Sequence, residues 1–170
     1  QLALAGYSAT HGNAAISGYP FTDLDNPLDV TQLHPKFAYA PNNVLVLLGG
    51  TSDVFNGQTG SQIYTTMYTI GDDARAAGAD YVVACTITPY NGITSPANTE
   101  RLDANSRIIA DASNKFDYAV QLAEDSLLGP TPPAGLSTYY TDGVHLTLAG
   151  RTQAASLLVS QALQYILPSP

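Results

Sequence analysis

Asn43-Val-Leu-Val-Leu-Leu-Gly-Gly-Thr-Ser-Asp53 holds five consecutive aliphatic residues, Val44 to Leu48, that stop at Gly49-Gly50. A strand with one wet face alternates apolar and polar residues. An unbroken aliphatic run instead predicts a strand covered on both faces, as in a parallel sheet between helices. Downstream, Ile63, Met67, Ile70 and Ala74 recur at spacings of four, three and four, which predicts an amphipathic helix closed by Gly78. Tyr81 to Ile87 reads as the next buried strand, ended by Pro89. Leu102, Ile108, Ile109 and Ala112 mark another helix, and Tyr118 to Leu122 a short strand. After a Pro/Gly-rich loop from Gly129 to Gly135, a last helix spans Leu148 to Ile166, with Ala154, Leu157, Leu158 and Ile166 inward. Upstream, Leu2 to Ala5 reads as one more short strand. Strands alternating with helices imply an α/β fold whose site lies beyond the carboxyl ends of the strands.

A chain of 170 residues fits one domain, residues 1–170, with a real hydrophobic core. No apolar run approaches the roughly 20 residues needed for a transmembrane segment. With six Lys plus Arg and a net charge of -8, no basic patch can be assembled, so nucleic acid is excluded as a partner and an anionic membrane surface is disfavoured. Charged residues make up 12%, while Thr, Ser, Asn, Gly and Tyr are plentiful, which points to a secreted, extracellular protein. The single cysteine, Cys85, has no internal disulfide partner, and its apolar neighbours predict a buried structural thiol. The sequence has no Asn-X-Ser/Thr acceptor site. It starts at Gln1 with neither an initiator Met nor a signal-peptide pattern, as a processed or N-terminally truncated chain would.

Asp142-Gly143-Val144-His145 stands just before the last helix. An Asp and a His three residues apart can share one turn, with the carboxylate holding one ring nitrogen and the other free to deprotonate a hydroxyl. A bare Asp-X-X-His is common, and taken alone it reads equally as an Asp capping a turn. His11 and His34 lack metal-ligand spacing with His145, so no metal site is expected. No Gly-rich phosphate loop is present, and no cofactor is expected. Asp72-Asp73 and Glu124-Asp125 read as solvated faces or helix-end charges. Tyr139 and Tyr140 precede Asp142 and are expected to line a substrate groove.

Several segments resemble, in order, the blocks of SGNH (GDSL-like) serine hydrolases. Ser137-Thr-Tyr-Tyr-Thr-Asp-Gly-Val-His-Leu-Thr-Leu-Ala-Gly150 is similar to the family's last block, where Asp and His complete a triad. Asn43 to Asp53 resembles the third block, Val83-Ala-Cys-Thr-Ile-Thr-Pro89 the next strand, and Leu102-Asp-Ala-Asn-Ser-Arg-Ile-Ile109 the helix with a recurrent Asn. The resemblance spans about residues 40 to 165. It implies a three-layer α/β/α sandwich, flavodoxin-like, with a parallel sheet of about four to five strands. It also implies a Ser-His-Asp triad containing Asp142 and His145. The family's third-block Asn, an oxyanion donor, is replaced here by Ser52, whose shorter hydroxyl also donates.

Two alignments of the N-terminus compete. In one, Leu2-Ala-Leu-Ala-Gly-Tyr-Ser-Ala-Thr-His-Gly12 matches the nucleophile block, with Tyr7 in place of the family's Asp and Ser8 as nucleophile. In the other, Leu2 to Ala5 is the second strand, Gly18 supplies a backbone oxyanion donor, Asp29 to Tyr39 is a helix, and the nucleophile is absent. Losing a central strand would expose its neighbours' edges, which favours Ser8. The short interval from Ser8 to Ser52 favours the other alignment. A partner chain could supply a missing strand.

Two functions follow. One is a serine esterase acting on short acyl esters, acetylated carbohydrates among them, with Ser8, His145 and Asp142 as triad and Gly18 and Ser52 at the oxyanion. The alternative is a non-catalytic extracellular module that self-assembles as a homo-oligomer, pairs with a strand-complementing partner or binds glycans.

Overall fold

The computed structural model describes residues 18–24, 42–112, 114–130 and 136–167. Along them run α1 (Phe21–Leu24), β1 (Val44–Leu47), α2 (Thr51–Phe55), α3 (Gly60–Ala76), β2 (Tyr81–Cys85), α4 (Ser95–Ala110), β3 (Tyr118–Val120) and α5 (Leu136–Tyr139). A last helical run follows: α6 (Leu148–Leu158), a π-helical turn at Val159–Leu163, and α7 (Gln164–Ile166).

The aliphatic run does form a strand in a parallel sheet. β1 pairs with β2 in register Val44 to Tyr81 through Leu47 to Ala84, and β2 pairs with β3 from Val83–Tyr118 to Cys85–Val120. Three of the four to five expected strands are thus in view, in the order β1-β2-β3. The expected strand Leu2 to Ala5, the helix Asp29 to Tyr39 and Ser8 lie outside the described residues. Among the described residues no helix is long and apolar enough to cross a membrane.

Alternation along β2 builds the layers. Val82 and Ala84 face one core, with Ile63, Met67 and Ile70 of α3 and Ala104 and Ile108 of α4. Val83 and Cys85 face the other, with Ala154, Ala162, Leu163 and Ile166 of the last helical run. Each fully buried aliphatic side chain contributes about 1.5–3 kcal/mol. At β1 only Leu47 is buried and Val44, Leu45 and Val46 are half-buried, so the expectation of two covered faces holds for β2 more fully than for β1. Leu48 lies past the strand end, exposed.

Local signals place the helices. Thr59 and Gln62 form a reciprocal capping box at the start of α3. α3 ends at Ala76, where the Gly78 N–H bonds the Arg75 carbonyl at 3.0 Å. The stripe expected for α4 is corrected: Leu102 is exposed, and the inward face is Arg101, Ala104, Asn105 and Ile108. Those four follow the helical spacing of three and four, whereas Leu102 and Ile108 lie six apart on different faces. Ala112 falls beyond the helix, in an isolated parallel bridge to Phe116. The strands end sooner than expected, at Cys85 and Val120.

Candidate active site

The loop between Tyr140 and Leu146 is closed by an antiparallel bridge between those two residues and by the Thr141 N–H donating to the His145 carbonyl at 2.8 Å. Gly143 turns the chain at a φ of 83°, a conformation that side chains disfavour. Inside this turn, one Asp142 oxygen, Oδ1, accepts the backbone N–H groups of Val144 (3.0 Å) and His145 (2.8 Å). The other, Oδ2, lies 2.8 Å from His145 Nδ1. The His145 backbone N–H first, then its ring, hold the Asp142 carboxyl well below the usual carboxylate range. An ionised carboxylate only accepts hydrogen bonds, so Nδ1 carries the ring proton. In the neutral ring the lone pair then sits on Nε2, away from Asp142. That is the tautomer and orientation of a general base. The His145 side chain is 70% exposed and that of Asp142 53%.

The turn is anchored on three sides. Behind it, the Thr147 N–H donates to the Tyr139 carbonyl at 2.9 Å, and the Thr147 hydroxyl caps α6 by accepting the Gly150 N–H at 3.2 Å. Here α6 runs so close to Tyr139 that a Cβ at Gly150 would lie 2.2 Å from the Tyr139 oxygen. Beneath the turn, Tyr140 is wholly buried and its hydroxyl donates to the Leu128 carbonyl at 2.6 Å. Beside it, the Asn91 N–H donates to the Gly143 carbonyl at 2.9 Å. The expectation that Tyr139 and Tyr140 line a groove is corrected: Tyr139 packs on the core under the last helical run, and Tyr140 is the buried end of the bridge.

A buried clamp fixes the segment leading from β2 to Asn91. Asn105 Oδ1 accepts the Ile87 N–H at 2.7 Å, while Asn105 Nδ2 (3.0 Å) and Arg101 Nη1 (2.7 Å) both donate to the Ile87 carbonyl. Thr86 accepts the Ala123 N–H and donates to Glu124 Oε2, each at 2.9 Å. Asp125 Oδ1 accepts the N–H groups of Leu127 and Leu128, and its Oδ2 accepts from Gln153. Glu124 and Asp125 therefore tie loops together; they are not merely solvated charges.

Both oxyanion candidates belong to a second unit. Gly18 is exposed in a turn at a φ of 76° just ahead of α1, and Ser52 is half-buried in α2. The link is Asp53, fully buried, whose carboxylate accepts the N–H groups of Phe21 (2.9 Å) and Thr22 (3.3 Å) at the start of α1. Burial raises the Asp53 pKa despite those bonds. The Phe21 ring lies against Gly49 and Gly50. The Phe55 and Tyr90 rings meet at 6.2 Å, so α2 touches the segment that ends at Asn91. The structure thus brings Asp142 and His145 together and ties the Gly18 segment to the element of Ser52. Ser8 lies outside the described residues. Sequence reasoning gave no role to Asp53, although an acid directly after a buried strand's Gly-Gly turn was a signal. Nor did it single out Phe55 or Asn91; the latter acts through its backbone, which leaves no trace in a side chain.

A model of the GDSL-like lipase/acylhydrolase family matches residues 1–152. Among solved structures, the chain is similar to the crystal structure of TesA at 21% identity, with a TM-score of 0.71, over 98% of this chain and 84% of that one. This likeness supports the α/β fold expected from the sequence. No curated protein sequence matches the chain.

Proposed function

Because the chain belongs to the GDSL-like lipase/acylhydrolase family, we propose that it is a secreted, single-domain serine esterase that cleaves short acyl esters, acetylated carbohydrates among them. The observation that carries this reading is the Asp142–His145 pair at 2.8 Å, which orients the ring with Nε2 away from Asp142. Ser8 Oγ attacks the acyl carbonyl while His145 Nε2 takes its proton, and Asp142 stabilises the imidazolium. The hydroxyl of Ser52 donates to the oxyanion. The intermediate collapses, the alcohol leaves with the proton from His145, and an acyl-Ser8 ester remains. Water, deprotonated by His145, then releases the acid and restores Ser8. Ser52 is half-buried at the start of α2, just after Gly49-Gly50 at the end of β1. One such donor is worth about 10²–10³ in turnover.

The 70% exposure of the His145 side chain favours a second reading, a non-catalytic module that binds glycans or assembles with other chains. Water-excluded sites gain more from each charge than wet ones do. Hydrolysis of a short-chain aryl ester separates the two. The esterase reading expects His145→Ala to lower kcat/KM by about 10⁴-fold or more. A wild-type protein with no turnover, or a His145→Ala variant as active as wild type, contradicts it.

A further inference from the structure

We infer that the buried Tyr140 hydroxyl is a positioning group for the general base: it ties the Asp142–His145 turn to the exit of β2 and so sets where His145 presents Nε2. Its role in catalysis rests on the esterase reading above; its hold on the turn does not. Tyr140 is the entry residue of the turn, paired with Leu146 in the bridge that closes it. Its side chain is wholly buried. Packing alone would favour Phe there, because a buried hydroxyl must replace the hydrogen bonds it leaves behind in water. This one replaces them twice. It donates to the Leu128 carbonyl at 2.6 Å and also hydrogen-bonds the Thr88 side chain. The Tyr140 proton points to Leu128, so Thr88 is the donor in the second bond. Burial raises the Tyr140 pKa, which keeps the hydroxyl protonated as a donor.

The two partners belong to different elements. Thr88 follows Ile87, whose N–H and carbonyl are clamped by Asn105 and Arg101 of α4. Three residues after Thr88, the Asn91 N–H donates to the Gly143 carbonyl at 2.9 Å. One clamped segment thus holds the turn at two points, Tyr140 at its base and Gly143 at its tip. Two attachments fix an orientation that a single one leaves free to pivot. Leu128 lies in the loop after β3, where its N–H donates to Asp125 Oδ1 at 3.0 Å and Asp125 Oδ2 accepts from Gln153 of α6 at 2.9 Å. α6 starts at the far end of the turn, where the Thr147 N–H donates to the Tyr139 carbonyl at 2.9 Å. The Tyr140 hydroxyl therefore closes a ring of hydrogen bonds that passes through both ends of the turn. Among the described residues the Asp142 carboxylate bonds only to its own turn. The pair consequently takes its place in the molecule from the anchors of that turn.

The test compares Tyr140→Phe, Thr88→Val and the double variant with the wild type and with Ile63→Val, a variant of the core under α3. Turnover is read on 4-nitrophenyl acetate, and nitrogen NMR of the His145 ring reads which tautomer the neutral ring holds. Tyr140→Phe is expected to lower kcat by about 10- to 100-fold with KM unchanged, and to replace the single Nδ1–H tautomer by a mixture with Nε2–H. Thr88→Val should move both readings in the same direction by a smaller factor. The double variant should match Tyr140→Phe, because the two hydroxyls act through one contact. Ile63→Val should lower stability and leave kcat and tautomer as in the wild type. Wild-type kcat and tautomer in Tyr140→Phe overturn the inference and leave the esterase reading standing. The same changes appearing in Ile63→Val also overturn it, because they would then follow from lost stability alone. A tautomer shift in Tyr140→Phe, with no ester turned over by the wild type, keeps the positioning role and sinks the esterase reading. If Tyr140→Phe does not fold, Thr88→Val decides, and no change in either reading there overturns the inference.

Discussion

Asp142 and Asp53 are the same side chain put to opposite uses. Asp142 is exposed and accepts three hydrogen bonds from its own turn, so its folded pKa lies below the ordinary 3.8. Its contribution to stability is complete above that value and is lost only as pH falls through the lower folded pKa. The Asp142–His145 geometry should therefore survive mild acid. Asp142→Asn keeps an oxygen for the backbone bonds but removes the charge that fixes the Nδ1 proton. On the esterase reading, kcat on an aryl ester should fall by about 10⁴ with the circular dichroism spectrum unchanged. Asp53 is buried and its folded pKa lies above 3.8, so its contribution is complete below that value and lost as pH rises through the folded pKa. Asp53→Asn, which keeps an acceptor for Phe21 and Thr22, should gain stability relative to wild type between about pH 4 and about pH 7 in urea unfolding. Asp53→Ala should lose about 1–3 kcal/mol at either pH. The Asp142–His145 pair was legible in the sequence because its partners lie three residues apart. The role of Asp53 was not, because the groups it binds lie 31 and 32 residues away.

At the scale of elements, the difference between α3 and α4 explains what a pattern reveals. The buried face of α3 is largely apolar, and Ile63, Met67, Ile70 and Ala74 marked it correctly. The buried face of α4 includes Arg101 and Asn105, whose partner is the backbone of Ile87. A search for apolar stripes passes over such a face and accepts the exposed Leu102 in its place. Asn105 was visible only as the recurrent Asn of a family resemblance, without its task. Asn105→Ala should leave the Ile87 N–H unpaired and cost about 1–3 kcal/mol, whereas Leu102→Ala should change stability by about 0.5 kcal/mol or less. Chemical denaturation of both variants checks the assignment of the face. Equal losses would contradict it.

For the whole molecule, the sequence conveyed the layer order because β2 alternates between two apolar cores, and those cores were written as uninterrupted aliphatic runs. Cys85 sits in the second of them, and burial pushes its thiol up to about 12. The native protein should therefore resist a thiol reagent such as Ellman's, with labelling that rises along the same denaturant curve as the loss of secondary structure. Fast labelling before unfolding would mean that the layer under the last helical run opens on its own. The sequence was less informative where function needs distant parts to meet. Asp142 and His145 are local, but the Gly18 segment and the element of Ser52 meet only through the fold, at Asp53. The proposed Ser8-His145-Asp142 triad is tested by mapping a fluorophosphonate adduct by mass spectrometry. The triad predicts one adduct, on Ser8, that disappears in His145→Ala. An unlabelled wild-type protein, or an adduct on another residue, would contradict it.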